Sequence, residues 1–245
     1  MKDWLDPLRK ALDDVSRQVE FFFRDDDAGW SDERLFDLLD IFDHLGLPID
    51  LAAIPKAVTP SLAHQLLRRM ESSPHLIGIH QHGYSHNNHE SEGRKCEFGP
   101  ARTRADQRKD IDCGRHLLAD LFKGQVEPIF TPPWNRCTRL TGECLVELGF
   151  EILSRESETP FLEIPHLKEI PIHVDWFAKR QGTRLEPEEW VQYLTVKMES
   201  TSPVGIMFHH AVMDTCEFDA ADQFLSLMAS HSQVKCRRIL SSRLV

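Results

Sequence analysis

Residues 19–54, VEFFFRDDDAGWSDERLFDLLDIFDHLGLPIDLAAI, form a complete strand–helix–strand unit whose reading decides the fold class. VEFFFR (19–24) carries three successive phenylalanines without polar alternation, the pattern of a strand buried on both faces. In SDERLFDLLDIFDHLG (31–46), Leu35, Leu38, Leu39 and Phe42 fall on one helical face; Ser31 can cap the start and Gly46 the end. IDLAAI (49–54) is again short and apolar.

The alternation continues outward. Residues 1–18 read as a leading helix, and Thr59-Pro60 opens another with a capping residue and a proline at the first helical position. LIGIH (76–80) is strand-like, and a polar loop runs to about residue 100. A helix is expected over roughly 101–122, EPIF (127–130) as a strand, and 138–149 as a helix closed by Gly149. After GFEILS come a Pro-rich stretch with short strands near 161–164 and 169–174, a helix around 187–199, GIMFHH (205–210) and a last helix at 219–231. No repeat or low-complexity linker divides the chain, so residues 1–245 read as one domain. Such alternation implies a parallel α/β fold, either an open sheet or a (β/α) barrel.

The 245 residues, 41% hydrophobic and 28% charged, are apolar enough to bury a core, which excludes a disordered chain. Acids outnumber bases 39 to 29, for a net charge of -10, and no basic stripe of the kind nucleic-acid binders carry is present. RTRADQRK (102–109), the nearest candidate, reads as a solvated helix face. No apolar run reaches the roughly 20 residues of a transmembrane helix. MKDWLDPLRKALDDV lacks the apolar segment of a signal peptide, so a cytoplasmic location is expected. Six cysteines (96, 113, 137, 144, 216, 236) without a C-x-x-C pair read as free thiols.

In both candidate architectures, functional side chains gather at the C-terminal ends of parallel strands. Asp25-Asp26-Asp27 follow the first strand, HQHGYSHNNH (80–89) the third and TPPWNR (131–136) the fourth. HVDW (173–176) and His209-His210 follow later ones. Four of the 13 histidines, His80, His82, His86 and His89, fall within ten residues, a density that points to a metal; neutral imidazole suits zinc and other late divalent ions. His82 and His86 would meet across one helical turn, His80 and His82 on one strand face, and both pairings stay open. Three adjacent carboxylates repel one another unless a cation or base lies near. One suits a metal ligand and its neighbour a proton acceptor.

At these residues the sequence resembles the polysaccharide deacetylase (NodB-homology, carbohydrate esterase) family. RDDDA (24–28), HGYSH (82–86), TPPW (131–134), IHVDW (172–176) and MFH (207–209) occur in the order of that family's five motifs. The resemblance implies a distorted (β/α)7 TIM-like barrel and a metal-dependent hydrolase. Its substrate would be an acylated, chiefly N-acetylated, sugar or glycan precursor. It implies one divalent ion, zinc foremost with cobalt, nickel or manganese as substitutes, held by Asp27, His82 and His86. Asp26 would be the catalytic base, the backbone N–H of Trp134 an oxyanion donor and His209 the general acid. Trp30, Trp176 and Asp175 would contact the substrate. Asp25-Asp26 remains an alternative register, and His210 an alternative acid. Thr131 stands where the family often has an arginine that orients the base; Arg24 and Arg136 are the candidates to replace it. That missing arginine and Ile172, in place of a family aspartate, leave a non-catalytic carbohydrate-binding relative as one alternative. A small-molecule amidohydrolase is another, including a binuclear one built on His80 and His82.

Overall fold

The structure, a computed structural model, describes residues 3–241 apart from 177–178 and 181–182. Its central strand is β1 (Val19–Ala28). Phe21 and Phe23 enter the core between sheet and helices, while Phe22 joins Ile129, Ile152, Ile172 and Met207 inside the barrel. Both faces of β1 are thus covered, which is why it carries three phenylalanines. Arg24 and Asp26, two apart and hydrogen-bonded to each other, prolong the inner face beyond Phe22.

Around β1 the chain alternates as expected. α1 (Asp6–Asp14) buries Leu8 and Leu12 and is shorter than the leading helix read at 1–18; Met1 and Lys2 lie outside the described residues. α2 (Asp32–Leu45) ends at Gly46, whose left-handed φ of 64° lets its N–H reach the Phe42 and Asp43 carbonyls. Ser31 occupies the position before α2 but is left-handed, φ 49°, and its side chain makes no capping bond, so the expected cap is absent. β2 (Ile49–Ala53) leads to α3 (Pro60–Ser72), where Thr59 Oγ1 does cap, accepting from the Leu62 N–H at 3.1 Å. There follow β3 (Ile77–His82), α4 (Arg104–Leu121), β4 (Ile129–Thr131), α5 (Arg139–Glu147), β5 (Ile152–Leu153), β6 (Lys168–Glu169) and β7 (Val174–Asp175). The short strands β8 (Lys179–Arg180) and β9 (Thr183–Arg184) pair antiparallel. α6 (Pro187–Ser200), β10 (Val204–Phe208), α7 (Thr215–Ser230) and β11 (Val234–Cys236) complete the chain.

The main sheet runs β6-β5-β4-β3-β2-β1-β10-β7, all parallel, with β11 added to β1. Phe21 pairs with Val204 of β10 on one edge and Cys236 of β11 on the other, so β11 fills the lower part of the edge that β2 occupies above. The eight strands in that order curl into an incomplete barrel with helices outside. β11 and the β8–β9 pair were not anticipated. The strand expected at 161–164 is absent: the Leu162 N–H donates to the Glu169 carboxylate and its carbonyl accepts from Arg139, so neither is free for a ladder. All six cysteines are free. Among the described residues no helix is long and apolar enough to cross a membrane.

Candidate active site

The upper strand ends are polar because β1 breaks its own register. Between Asp25 and Ala28 the pairing with β2 shifts, and Asp27 takes φ 70°. Such a bulge re-aims side chains, and three successive aspartates find three separate sets of partners.

Asp25 is fully buried against His210. Its Oδ2 lies 2.6 Å from His210 Nδ1, its Oδ1 accepts from the His210 backbone N–H at 3.1 Å, and His210 Nε2 lies 2.7 Å from the Trp30 carbonyl. Burial works against a charge on His210, but the Asp25 carboxylate outweighs it and raises the imidazole pKa. His210 is therefore committed to a buried pair and not exposed to the cleft.

Asp26 is gripped by Arg24, with Nε to Oδ1 at 2.7 Å and Nη2 to Oδ2 at 2.9 Å. The remaining guanidinium donors reach the Ser154 carbonyl (3.1 Å), Ser154 Oγ (2.8 Å) and Asn135 Oδ1 (2.8 Å). All five donors of a buried arginine are thus engaged, which fixes its fork and the carboxylate in it. Between the two candidates for the missing arginine, Arg24 holds Asp26. Arg136 instead donates from Nη1 to the Lys95 carbonyl at 3.0 Å.

Asp27 faces two imidazoles: Oδ1 is 3.2 Å from His82 Nε2 and 3.3 Å from His86 Nε2. One donor atom from each residue lies within 4.8 Å of the others. Asp27 Oδ1 is buried and has no hydrogen-bond donor satisfying it. His82 Nδ1 is 3.0 Å from the Thr131 carbonyl and donates to it, so Nε2 can offer Asp27 a shared proton or an ion its lone pair. Burial alone would raise the Asp27 pKa, but His82, then His209 and His86, take it well below the usual carboxylate range. This buried oxygen with two imidazole nitrogens converging on it fits a divalent ion with positions left for water and substrate. His80 stands apart: buried, with Nε2 on Thr131 Oγ1 at 2.9 Å, it is held neutral by burial and by the nearby Arg24 charge. The His80–His82 pairing is not formed as a metal site.

His86 reaches the site from a loop that the sequence did not explain. Its φ is 57°, and buried Glu97 accepts hydrogen bonds from the Tyr84 N–H (3.1 Å), the Ser85 N–H (2.8 Å) and Ser85 Oγ (3.0 Å). Only glycine fits at 83, since a Cβ there would lie 2.2 Å from Glu97 Oε2. Glu97, Asn135 and Ser154 were missed; only Asn135, inside TPPWNR, had a nearby motif to point to it.

The aromatic residues divide. The Trp30 and Trp134 rings lie 4.8 and 4.4 Å from the His86 ring, and Trp30 is 40% exposed. Trp176 is buried among Trp190, Phe208 and Phe224, with centroids 4.7, 5.1 and 5.6 Å away, so its expected substrate contact gives way to core packing. Trp134 and Asn135 both have positive φ, 55° and 57°, where β4 turns over the site. Asp175 faces His209, whose Nδ1 is 3.3 Å from its Oδ1. Burial would lower the His209 pKa, but Asp175, with Asp26 and Asp27, pushes it up to about 10.

No protein-family model matches the sequence, and no curated protein matches it. Solved structures do. A protein of Mycobacterium smegmatis named for the polysaccharide deacetylases shares 14% identity over 94% of this chain and 90% of its own, with TM-score 0.68. A family 4 carbohydrate esterase from Streptomyces lividans, in complex with acetate, is 14% identical over 94% and 95%, with TM-score 0.56. A family 4 acetyl xylan esterase from Clostridium thermocellum, holding cobalt, is 14% identical over 91% and 89%, with TM-score 0.54. The chain has the fold of these proteins, the incomplete (β/α)7 barrel of the polysaccharide deacetylase type.

Proposed function

We propose that this chain is a metal-dependent hydrolase that removes an acyl group, N-acetyl foremost, from a carbohydrate or sugar-containing precursor. The observation that carries the reading is the convergence of His82 and His86 Nε2 on the unsatisfied Asp27 Oδ1. The acetate and cobalt bound by two structures of the same fold support it.

Asp27, His82 and His86 would hold one divalent ion, zinc foremost. When bound, it polarises the acyl carbonyl and lowers the pKa of water beside it. Asp26 is the base: Arg24 occupies one lone pair of each carboxylate oxygen and leaves the others free to accept a proton from water. His209 is the acid. Asp175 at Nδ1 keeps it protonated at neutral pH, so Nε2 can deliver a proton to the leaving amine. The Trp134 N–H, presented by a left-handed turn, donates to the developing oxyanion. Trp30 and Trp134 offer ring faces and edges to the sugar.

A non-catalytic relative was weighed for the missing family arginine and for Ile172 in place of a family aspartate; Arg24 on Asp26 answers the first and favours the catalytic reading. The test is to load the purified protein with zinc or cobalt, measure metal per chain, and follow acetate release from N-acetylated sugars. One ion per chain, with release abolished by Asp26→Asn, is expected. Absence of bound metal after reconstitution would overturn the reading.

A further inference from the structure

Three cations without a carboxylate partner among the described residues, Arg94, Lys95 and Arg136, stand beside the Trp134 and His86 rings of the site. Several surface arginines elsewhere meet carboxylates, Arg69 with Asp40 and Asp43, Arg102 with Asp110, Arg104 with Glu143 and Glu147, while Arg17 and Arg34 reach backbone carbonyls. Arg94, Lys95 and Arg136 have no carboxylate within 4.0 Å among the described residues. They are gathered by construction. Asn88 Oδ1 accepts from the Glu90 and Cys96 N–H groups, folding the loop after β3 back on itself. Arg136 then fastens the loop through the Lys95 carbonyl, and Phe98 bridges to Cys137. Lys95 Nζ sits 5.9 Å from the Trp134 ring centroid, and that ring lies 4.4 Å from the His86 ring. One indole therefore separates the cations from a candidate metal ligand. Arg136 feels its burial first, then Arg94, and Glu156 offsets that only partly. Glu156, with Glu158 and Asp175, also lines a cavity of about 310 Å³.

Like charges held together without counter-ions cost free energy that a bound anion would recover. Arg24 fills the base-orienting role, which leaves Arg136 without a catalytic task. We infer that the cleft binds an anionic group of its substrate, a phosphate or a carboxylate carried by the acylated sugar, on the rim formed by Arg94, Lys95 and Arg136. This rests on the deacylase reading and narrows its substrate to a charged acyl sugar, in place of a neutral glycan.

The test is equilibrium binding to the zinc-loaded protein by calorimetry, with N-acetylglucosamine, N-acetylglucosamine 1-phosphate and N-acetylmuramic acid. At least one anionic sugar should bind about ten-fold tighter than the neutral one at low salt, and which one gains separates phosphate from carboxylate. The preference should shrink to within about two-fold in the triple variant Arg94→Gln, Lys95→Gln, Arg136→Gln, and in wild type at roughly 0.5 M salt. Because phosphate can also ligate a metal, the series is repeated in Asp27→Ala: persistence of the preference there supports the rim. Its loss there, with retention in the triple variant, overturns it. So does equal affinity for the three sugars, or no binding of either anionic one. Binding needs no turnover, so an intact preference without acetate release would reject the deacylase reading and leave the rim standing.

Discussion

The two ends of the barrel differ in how fully they match the carboxylates they bury. At the lower end, Asp50 of β2 is matched within the chain: Arg238 Nε reaches Oδ1 at 3.0 Å and the Ile239 N–H reaches Oδ2 at 2.7 Å. Arg238 also binds the Ile77 carbonyl at 2.9 Å and the Glu127 carboxylate, passing over Gly78, where a Cβ would overlap it. At the upper end, Asp27 Oδ1 is left unsatisfied. Backbone strain follows the same division. Among the described residues nine non-glycines have positive φ; five of them, Ser31, His75, Lys123, Glu163 and His166, are exposed. The four that are not, Asp27, His86, Trp134 and Asn135, all stand at the upper rim. Such residues cost of order 1–3 kcal/mol each and persist only where surrounding structure enforces them. At the lower end both Asp50 oxygens are matched by the chain, whereas at the upper end Asp25 and Asp26 are matched and Asp27 Oδ1 is not.

The largest effect that would test this contrast comes from the open end. Asp27→Ala should lower bound metal from one per chain to none and acetate release by about a thousand-fold or more, with an unchanged circular dichroism spectrum. A variant that instead unfolds would mean that this carboxylate is structural, and the contrast would fail. At the closed end, Arg238→Met should cost about 3–5 kcal/mol in urea unfolding by stranding Asp50, yet leave metal content intact. Loss of metal without loss of stability would invert the two ends. Between them, Arg24→Lys keeps a charge but loses the fork. Acetate release should fall about ten- to a hundred-fold in kcat with KM and metal content nearly unchanged. The smallest effect concerns the wall. His173 Nδ1 accepts from the Gly205 N–H at 2.9 Å, and burial lowers its pKa from 6.5 to about 4. The unfolded chain protonates first as pH falls. The stability due to this neutral imidazole is thus complete above about 6.5 and lost by about 4. His173→Gln should flatten the urea-midpoint profile over that range; an unchanged slope would place the titration elsewhere.

How much of this was legible in sequence depended on distance along the chain. β1, α2 and β2 could be read because three phenylalanines, a helical stripe and an apolar run are local signals. Gly46 and Thr59 ended and began their helices as expected, but Ser31 did not cap, because the backbone leaving the bulge is left-handed there. The acid triplet marked the site, yet which aspartate meets which partner depends on a one-residue register shift that composition does not show. Thr131 signalled a missing arginine; its replacement on β1 became visible only when Ser154 and Asn135, 130 and 111 positions away, were seen around Arg24. Trp176 beside a motif looked like a sugar platform until Trp190 and Phe224 closed over it. The Asp50–Arg238–Glu127 cluster had no signature at all, since its members lie on three distant segments.

That cluster also bears on how the protein is made. Asp50 and its counter-ion are 188 residues apart. At about 5–20 residues per second, a ribosome takes roughly 10–40 s to supply Arg238 after Asp50. Throughout that interval, docking β2 would bury Asp50 without its counter-ion, at a cost of several kcal/mol or a proton taken up by the carboxyl. The lower end of the barrel is therefore completed last, when the segment around residue 238 arrives and Arg238 takes its place beside Asp50.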